Sequence, residues 1–302
     1  MKRSEQNILK DVSRSFYLSM RFLPAKMREP VSLAYLLARA SDTLADSEGL
    51  DAELRCEMLT CFGEILRGGD KVAWLERLKD AVIPIQKHKG EKLLLEMMSG
   101  IFDWLDDFEC ERGRLAILKV MENILHGQSL DIERFELQRW QVLREDAELD
   151  QYCFLVAGCV GEFWTEVGSI ALPEFSSIEM GRLKQMGINY GKGLQLINIL
   201  RDLPADLKLG RCYLPDVDPS DHDAVMEETK RWRATARVFL SDGQSYASSL
   251  RSRRTRAATA LPGLIGESTL DLLDQASWDE LGRGVKIPRR DVYRFMWESF
   301  FV

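Results

Sequence analysis

The chain has 302 residues, 45% of them hydrophobic and 29% charged, and a formal net charge of −7. That is ordinary composition for a folded protein able to bury a large core, and the acidic balance excludes nucleic acid as the main partner, because phosphate binding needs a basic face. The cysteines (Cys56, Cys61, Cys110, Cys153, Cys159 and Cys212) show neither a CxxC pair nor zinc spacing, so they read as reduced thiols of a cytosolic protein.

Taken in chain order, the opening "MKRSEQNILKDVSRS" lacks the apolar centre of a signal peptide. No later run is read as reaching the roughly 20 apolar residues that span a bilayer, so a cytoplasmic protein is expected. "EPVSLAYLLARASDTLAD" has helical spacing with Val31, Tyr35, Leu36 and Ala38/Arg39 near one face and Pro30 suited to the first turn. Similar i, i+3/i+4 spacing predicts helices over 51–66, 91–108, 111–135, 146–172, 179–202 and 221–250, with a last one near 289–301. Breaks at "LRGGDK", "LPEFSS", "LPDVDPSD" and "LGRGVKIP" are short connections. The run "RSRRTR" (251–256) reads as a solvated helix face rather than an anion site. Alternating strand patterns are missing, and the expectation is one all-α domain over residues 1–302.

Two stretches carry the chemistry. "ARASDTLAD" holds Asp42 and Asp46 four apart after Arg39, and "INILRDLPAD" repeats this with Arg201, Asp202 and Asp206. Four residues make slightly more than one helical turn, so each aspartate pair projects from one face, roughly 6 Å apart. Like charges that close, beside apolar neighbours, are unfavourable unless a cation compensates. Mg²⁺ fits, since it takes oxygen ligands, keeps waters and is often shared between carboxylates and a substrate's phosphates. Two such helices facing each other would hold two or three Mg²⁺ over a diphosphate, with Arg39 and Arg201 on its remaining oxygens. A single DxxxD is weak, being common on solvated helices. The repeat and the apolar flanks give it weight. Gln195, Asn198 and Asp202 extend the second pair into a polar stripe whose amides are expected to be buried and to need partners. Pro204 removes a helical N–H and disfavours helix at Leu203, so the helix is expected to kink or end inside the motif.

These blocks resemble the squalene and phytoene synthases, the head-to-head prenyl synthases. "SRSFYLSMRFLP", "LARASDTLAD", "YCFLVAGCVGEFW" and "GKGLQLINILRDLPADLKLGRCYLP" occur in family order and cover most of residues 13–215. The QxxNxxRDxxxD core with its closing GRxYLP is highly specific. The resemblance implies an isoprenoid-synthase helical bundle around a central active-site cavity. It implies Asp42, Asp46, Asp202, Asp206 and Asn198 as metal ligands, and Ser13, Ser15, Arg39, Gln195 and Arg201 as diphosphate contacts. Tyr152 is implied near the reacting carbons, so that Tyr152, Asp42 and Asp202 are the expected catalytic residues. Both motifs end in Ala-Asp where many members have another polar residue before the last aspartate, and Val12 stands where some relatives have His. Phe16, Phe154, Phe163 and Trp164 could shield a carbocation, but at helical spacing they read as core.

Within the family the expected activity is that of a squalene synthase, a farnesyl-diphosphate farnesyltransferase. It joins two farnesyl diphosphates through presqualene diphosphate and reduces the product with NADPH. No GxGxxG is present, so a nicotinamide would bind by another arrangement. The "VKI" and basic residues of "GRGVKIPRRD" resemble a turn near the NADPH site of eukaryotic squalene synthases, which implies Lys286 and Arg289 as cofactor contacts. The alternatives are a non-reducing member that makes presqualene diphosphate, dehydrosqualene or phytoene, and a non-catalytic prenyl-lipid-binding scaffold. Release of a hydrocarbon product implies peripheral contact with a membrane.

Overall fold

The structure is a computed structural model and describes residues 20, 22–47, 49–139 and 141–302. Every regular element among them is helical, with only two isolated bridges, Val142–Cys212 and Ser176–Leu250. The all-α expectation holds. Chain contacts define two compact units, Met1–Gln138 with Ile170–Leu172, and Arg139–Ser169 with Pro173–Val302.

The first unit contains α1 (Ala25–Ala45), α2 (Ala52–Leu66), α3 (Val72–Arg77), α4 (Lys89–Glu96), α5 (Met98–Asp106) and α6 (Glu111–Ile132). A π-helical turn, Leu78–Val82, follows α3, and another, Glu133–Leu137, follows α6. Helix α1 is buried nearly all round, through Val31, Leu33, Ala34, Leu36, Leu37, Ala40 and Leu44, and packs on α2, α4, α5 and α6. A helix apolar on every side belongs in a core, which explains the greasy run before Asp42. Phe62, Trp74 and Phe102 meet edge to face beside it, with centroids 5.3 to 5.6 Å apart. Trp74 donates its indole N–H to the Met58 carbonyl at 2.9 Å. Two expectations change here. Helix α1 starts at Ala25, so Pro30 lies inside it and not in its first turn. The helix predicted over 91–108 is broken at Met97 into α4 and α5. In both cases tertiary burial, of Pro30 in one and of Leu94, Leu95 and Met98 in the other, overrides local preference.

The second unit contains α7 (Asp146–Cys153), a π-helical turn (Phe154–Gly158), α8 (Cys159–Ala171), α9 (Met180–Lys208), α10 (His222–Ser249), α11 (Arg253–Gln275), α12 (Trp278–Arg283) and α13 (Arg289–Glu298). The last residues of α8 group with the first unit. Helix α9 is the central element and packs on α7, the π turn, α10, α11 and α12. Side chains cap the helices as propensity dictates: Glu179 on α9, Asp221 on α10, Ser252 on α11, and a Ser277–Glu280 capping box on α12. Tyr190 of α9 fills the space left by Gly243 and donates to the Thr259 carbonyl at 2.8 Å, pinning α9 to α11. Helix α11 has no counterpart in the periodicity reading, which saw only the charge run at its start. Helix α9 does not end at Pro204; it continues to Lys208, with Leu203 and Pro204 both buried. The continuous helical stretch Asp146–Ala171 contains an 18-residue window of mean hydropathy 1.3, half of it buried, so one segment does have the length and composition of a membrane span.

Candidate active site

In the first unit Arg39 bonds through Nη1 to Asp42 Oδ2 at 2.5 Å and through Nη2 to Glu91 Oε1 at 2.6 Å. Its Nε is buried and makes no hydrogen bond. Burial raises the Asp42 carboxyl above the ordinary aspartate range, with Arg39 opposing and Glu91 adding to the rise. The Asp42 side chain is still 44% accessible. It is therefore recessed among protein atoms yet open to a small solute. Asp46 caps α1 one turn on, and its exposed side chain leaves the core behind. Arg55, buried in α2, donates to the Ala45 carbonyl at 2.7 Å and forms an ion pair with Glu136. This buried arginine satisfies an orphan carbonyl at the motif's end of α1.

In the second unit Arg201 grips Asp202 with two bonds, of 2.8 and 2.5 Å. Those bonds, first, and Asp206 with them hold the Arg201 guanidinium above its ordinary pKa. Gln195 and Asp206 are half-buried and Asn198 and Asp202 exposed, while Leu196, Ile197, Ile199, Leu200 and Leu203 are buried. The polar stripe is thus a real face of α9, although Asn198 is exposed where a buried amide was expected. An ion pair this accessible contributes at most about 1 kcal/mol to stability, so folding alone does not explain the residues placed here.

Tyr152 lies at the end of α7 and stacks on Tyr213, with centroids 4.9 Å apart and planes at 20°. Tyr213 belongs to the closing GRCYLP block, which a parallel bridge joins to the segment before α7. Leu143 donates to the Cys212 carbonyl at 3.1 Å, Cys212 to the Gln141 carbonyl at 3.0 Å, and Asp216 to the Leu143 carbonyl at 3.1 Å. The Tyr152 segment also lies directly on α9. A Cβ on Gly161 would run into the Gly187 carbonyl and one on Gly191 into the Ala157 carbonyl, so the backbones touch only because these residues are glycines. Lys192 of α9 pairs with Asp150, two residues before Tyr152. The small residues of "VAGCVG" and "GINYG" therefore bring Tyr152 to the helix that carries Asp202. The π turn that follows Tyr152 is an arrangement frequent at functional sites.

Ser13 and Ser15 lie outside the described residues. Lys286 and Arg289 are exposed, in the loop after α12 and at the first position of α13. Glu91, Tyr213 and Arg55 were not singled out from the sequence. A tyrosine inside the specific GRxYLP block was the available signal for Tyr213; Glu91 and Arg55 act through partners distant in the chain.

Among the described residues, no three His, Cys, Asp or Glu side chains converge as a metal site. Each motif offers hard carboxylate oxygens in a pair, which suits an ion that keeps waters and shares a phosphate ligand, as Mg²⁺ does.

The model of the squalene/phytoene synthase family matches residues 9–291. The chain belongs to that family. A presqualene diphosphate synthase of Rhodopseudomonas palustris is 28% identical over 67% of this chain and 58% of its own length. The squalene synthase of Saccharomyces cerevisiae is 25% identical over 88% and 60%. This chain therefore spans about three fifths of the length of these relatives. A presqualene diphosphate synthase of Zymomonas mobilis is 25% identical over 93% of this chain and 84% of its own. Among solved structures, a ligand complex of TcSQS superposes with a TM-score of 0.79 at 23% identity, over 99% of this chain and 86% of that one. The squalene synthase HpnC of Alicyclobacillus acidocaldarius gives 0.58 at 19% identity, over 90% and 94%. These likenesses show the fold.

Proposed function

We propose that the chain is a magnesium-dependent prenyltransferase that joins two farnesyl diphosphates head to head through presqualene diphosphate and reduces the product with NADPH to squalene. The observation that carries this reading is the pair of arginine-gripped carboxylates, Arg39–Asp42 and Arg201–Asp202, each with a second aspartate one turn on. Asp42 and Asp46, and Asp202 and Asp206 with Asn198, are the groups to hold two or three Mg²⁺ ions, which when bound supply positive charge to a departing diphosphate. Arg39 and Arg201 exchange Asp42 and Asp202 for diphosphate oxygens and so stabilise charge as the C–O bond breaks. Gln195, Ser13 and Ser15 orient the same group. Tyr152, held by its stack on Tyr213, is the proposed group to accept or relay the proton lost as the cyclopropane closes. Lys286 and Arg289 are the proposed anchors for NADPH phosphates. A cytoplasmic enzyme with peripheral membrane contact suits so apolar a product.

A second reading, in which the reaction stops at presqualene diphosphate, is favoured by the match to the Zymomonas mobilis presqualene diphosphate synthase over most of both chains. Incubation with farnesyl diphosphate and Mg²⁺, with and without NADPH, followed by product identification, decides between them. Squalene only with NADPH supports the first reading; presqualene diphosphate under both conditions supports the second. No consumption of farnesyl diphosphate removes both.

A further inference from the structure

Helix α13 is tethered by one face and offers the other to solvent. Phe295 and Ser299, one turn apart, are buried, and α13 with the turn that follows it packs on α11. The outward face carries Tyr293, Trp297 and Phe301, spaced i, i+4, i+8 and 66%, 71% and 67% exposed. Among the described residues these are the only aromatic side chains in the set of exposed large hydrophobics; the others are aliphatic and scattered over the remaining elements. Trp297 and Phe301 lie with centroids 5.6 Å apart, and the Arg253 guanidinium stands over the Phe301 ring at 5.8 Å. One helical wheel puts Arg290 and Arg294 on this same face.

Folding leaves this stripe exposed, at a cost in apolar hydration that an isolated surface phenylalanine would not concentrate. Its charges run against those of the whole molecule. Lys286 and Arg289 aside, which the proposed function gives to the cofactor, Arg283, Arg290 and Arg294 still stand here against Asp291 and Glu298, in a chain of net charge −7. Arg294 faces Asp291 at 3.6 Å and Glu298 at 3.4 Å, and Arg290 faces Asp291 at 3.9 Å with its side chain 87% accessible. The carboxylates thus neutralise part of the patch and leave a cationic excess beside the aromatic stripe.

We propose that the outer face of α13 and its following turn is a docking surface for an anionic lipid bilayer. Tryptophan, tyrosine and phenylalanine on one face of a short basic helix are the side chains that settle at the headgroup–acyl boundary, while the arginines stay with the phosphates. The helix lies in the interface and spans nothing. The peripheral contact in the proposed function thereby gains a location, yet the lipid contact itself does not depend on the enzyme reading, because it is measured without substrate.

The test is flotation of the purified chain with phosphatidylcholine vesicles, with and without phosphatidylserine, at low and high salt. Wild type is expected to float with the phosphatidylserine vesicles at low salt and to be released as salt screens the arginines. Trp297→Ser with Phe301→Ser, and separately Arg290→Glu, should each weaken partitioning at least ~10-fold, with thermal unfolding and far-ultraviolet circular dichroism matching wild type. Failure of wild type to float overturns the proposal, as does equal flotation of wild type and the folded variants. Dimerisation without vesicles that the Trp297/Phe301 variant abolishes also overturns it, because the stripe then serves a second copy of the chain.

Discussion

Glu91 and Arg39, 52 residues apart in the chain, meet at 2.6 Å across two helices of the first unit. Glu91 gives Arg39 a second carboxylate partner, so on the proposed function the guanidinium would keep its direction when Asp42 turned to a metal. The two side chains are 33% and 24% accessible, and a pair this open contributes at most about 1 kcal/mol, enough to favour one arginine rotamer. On the proposed function, Glu91→Gln should raise KM for farnesyl diphosphate ~10-fold, with kcat changed less, and Glu91→Asp should recover part of the loss. An unchanged KM in the glutamine variant would remove Glu91 from the site.

Asp42→Asn and Asp202→Asn should each lower turnover by at least ~100-fold, the scale of lost transition-state electrostatics. Chelation should abolish activity, and added Mg²⁺ should restore it. Full turnover in excess chelator, or in both variants, would defeat the metal assignment.

How much of this was legible in the sequence follows the range of the interactions. Both aspartate pairs, their arginines and the α9 polar stripe are local patterns, and periodicity found the two helices that carry them but not their ends, since α1 begins earlier, at Ala25, and α9 runs on through Asp206 to Lys208. Glu91 and Arg55 find partners 52 and 81 residues away, which no local pattern encodes. Prolines misled in both directions. Pro30 sits inside α1 and Pro204 inside α9, because burying those turns outweighs one lost backbone bond at each. Helix α11 was obscured because its exposed basic first turn hides the small buried residues Ala257, Ala258 and Ala260 that follow.

If Lys286 and Arg289 hold the cofactor, changing both to alanine should leave farnesyl diphosphate consumption near wild type and let presqualene diphosphate accumulate. Hydride transfer needs an oriented nicotinamide, whereas the first condensation does not. Squalene made at the wild-type rate by the double variant would place the cofactor elsewhere while leaving the enzyme reading intact.

Gly191→Ala should cost about 1–3 kcal/mol, since its Cβ meets the Ala157 carbonyl, a backbone atom that cannot swing away. Gly100→Ala, with open space around its Cβ at an exposed position of α5, should be neutral or stabilising by up to about 1 kcal/mol. Thermal unfolding of the two variants gives the comparison. Equal melting temperatures would mean that the α9 contact relaxes freely.

Thiol titration supplies a prediction with a definite sign. Burial raises Cys159 to about 12 and Cys212 to about 11 from the ordinary 9.0, and raises Cys153 further. Native protein at pH 8 should therefore be alkylated at exposed Cys110 first and hardly at these three, as peptide mass spectrometry would read. The unfolded chain ionises these three thiols near 9.0 and the folded chain does not. Their contribution to stability is thus complete below pH 9 and lost as pH rises through 11 and 12. Unfolding midpoints that stay level from pH 8 to 11 would contradict this.

The short parallel bridge between Gln141–Leu143 and Cys212 has a consequence for the order of assembly. Tyr152 and Tyr213 stack only after α8 and α9 have folded and returned the chain to its own earlier segment. Contacts closed over so long a loop form late, because the entropy of closure precedes any gain from the contact. A chain in which Gln141–Leu143 and Cys212 have not yet met therefore carries both aspartate motifs but not the held tyrosine. On the proposed function, such a chain would bind diphosphates before Tyr152 is held to take the proton that the carbocation loses as the cyclopropane closes.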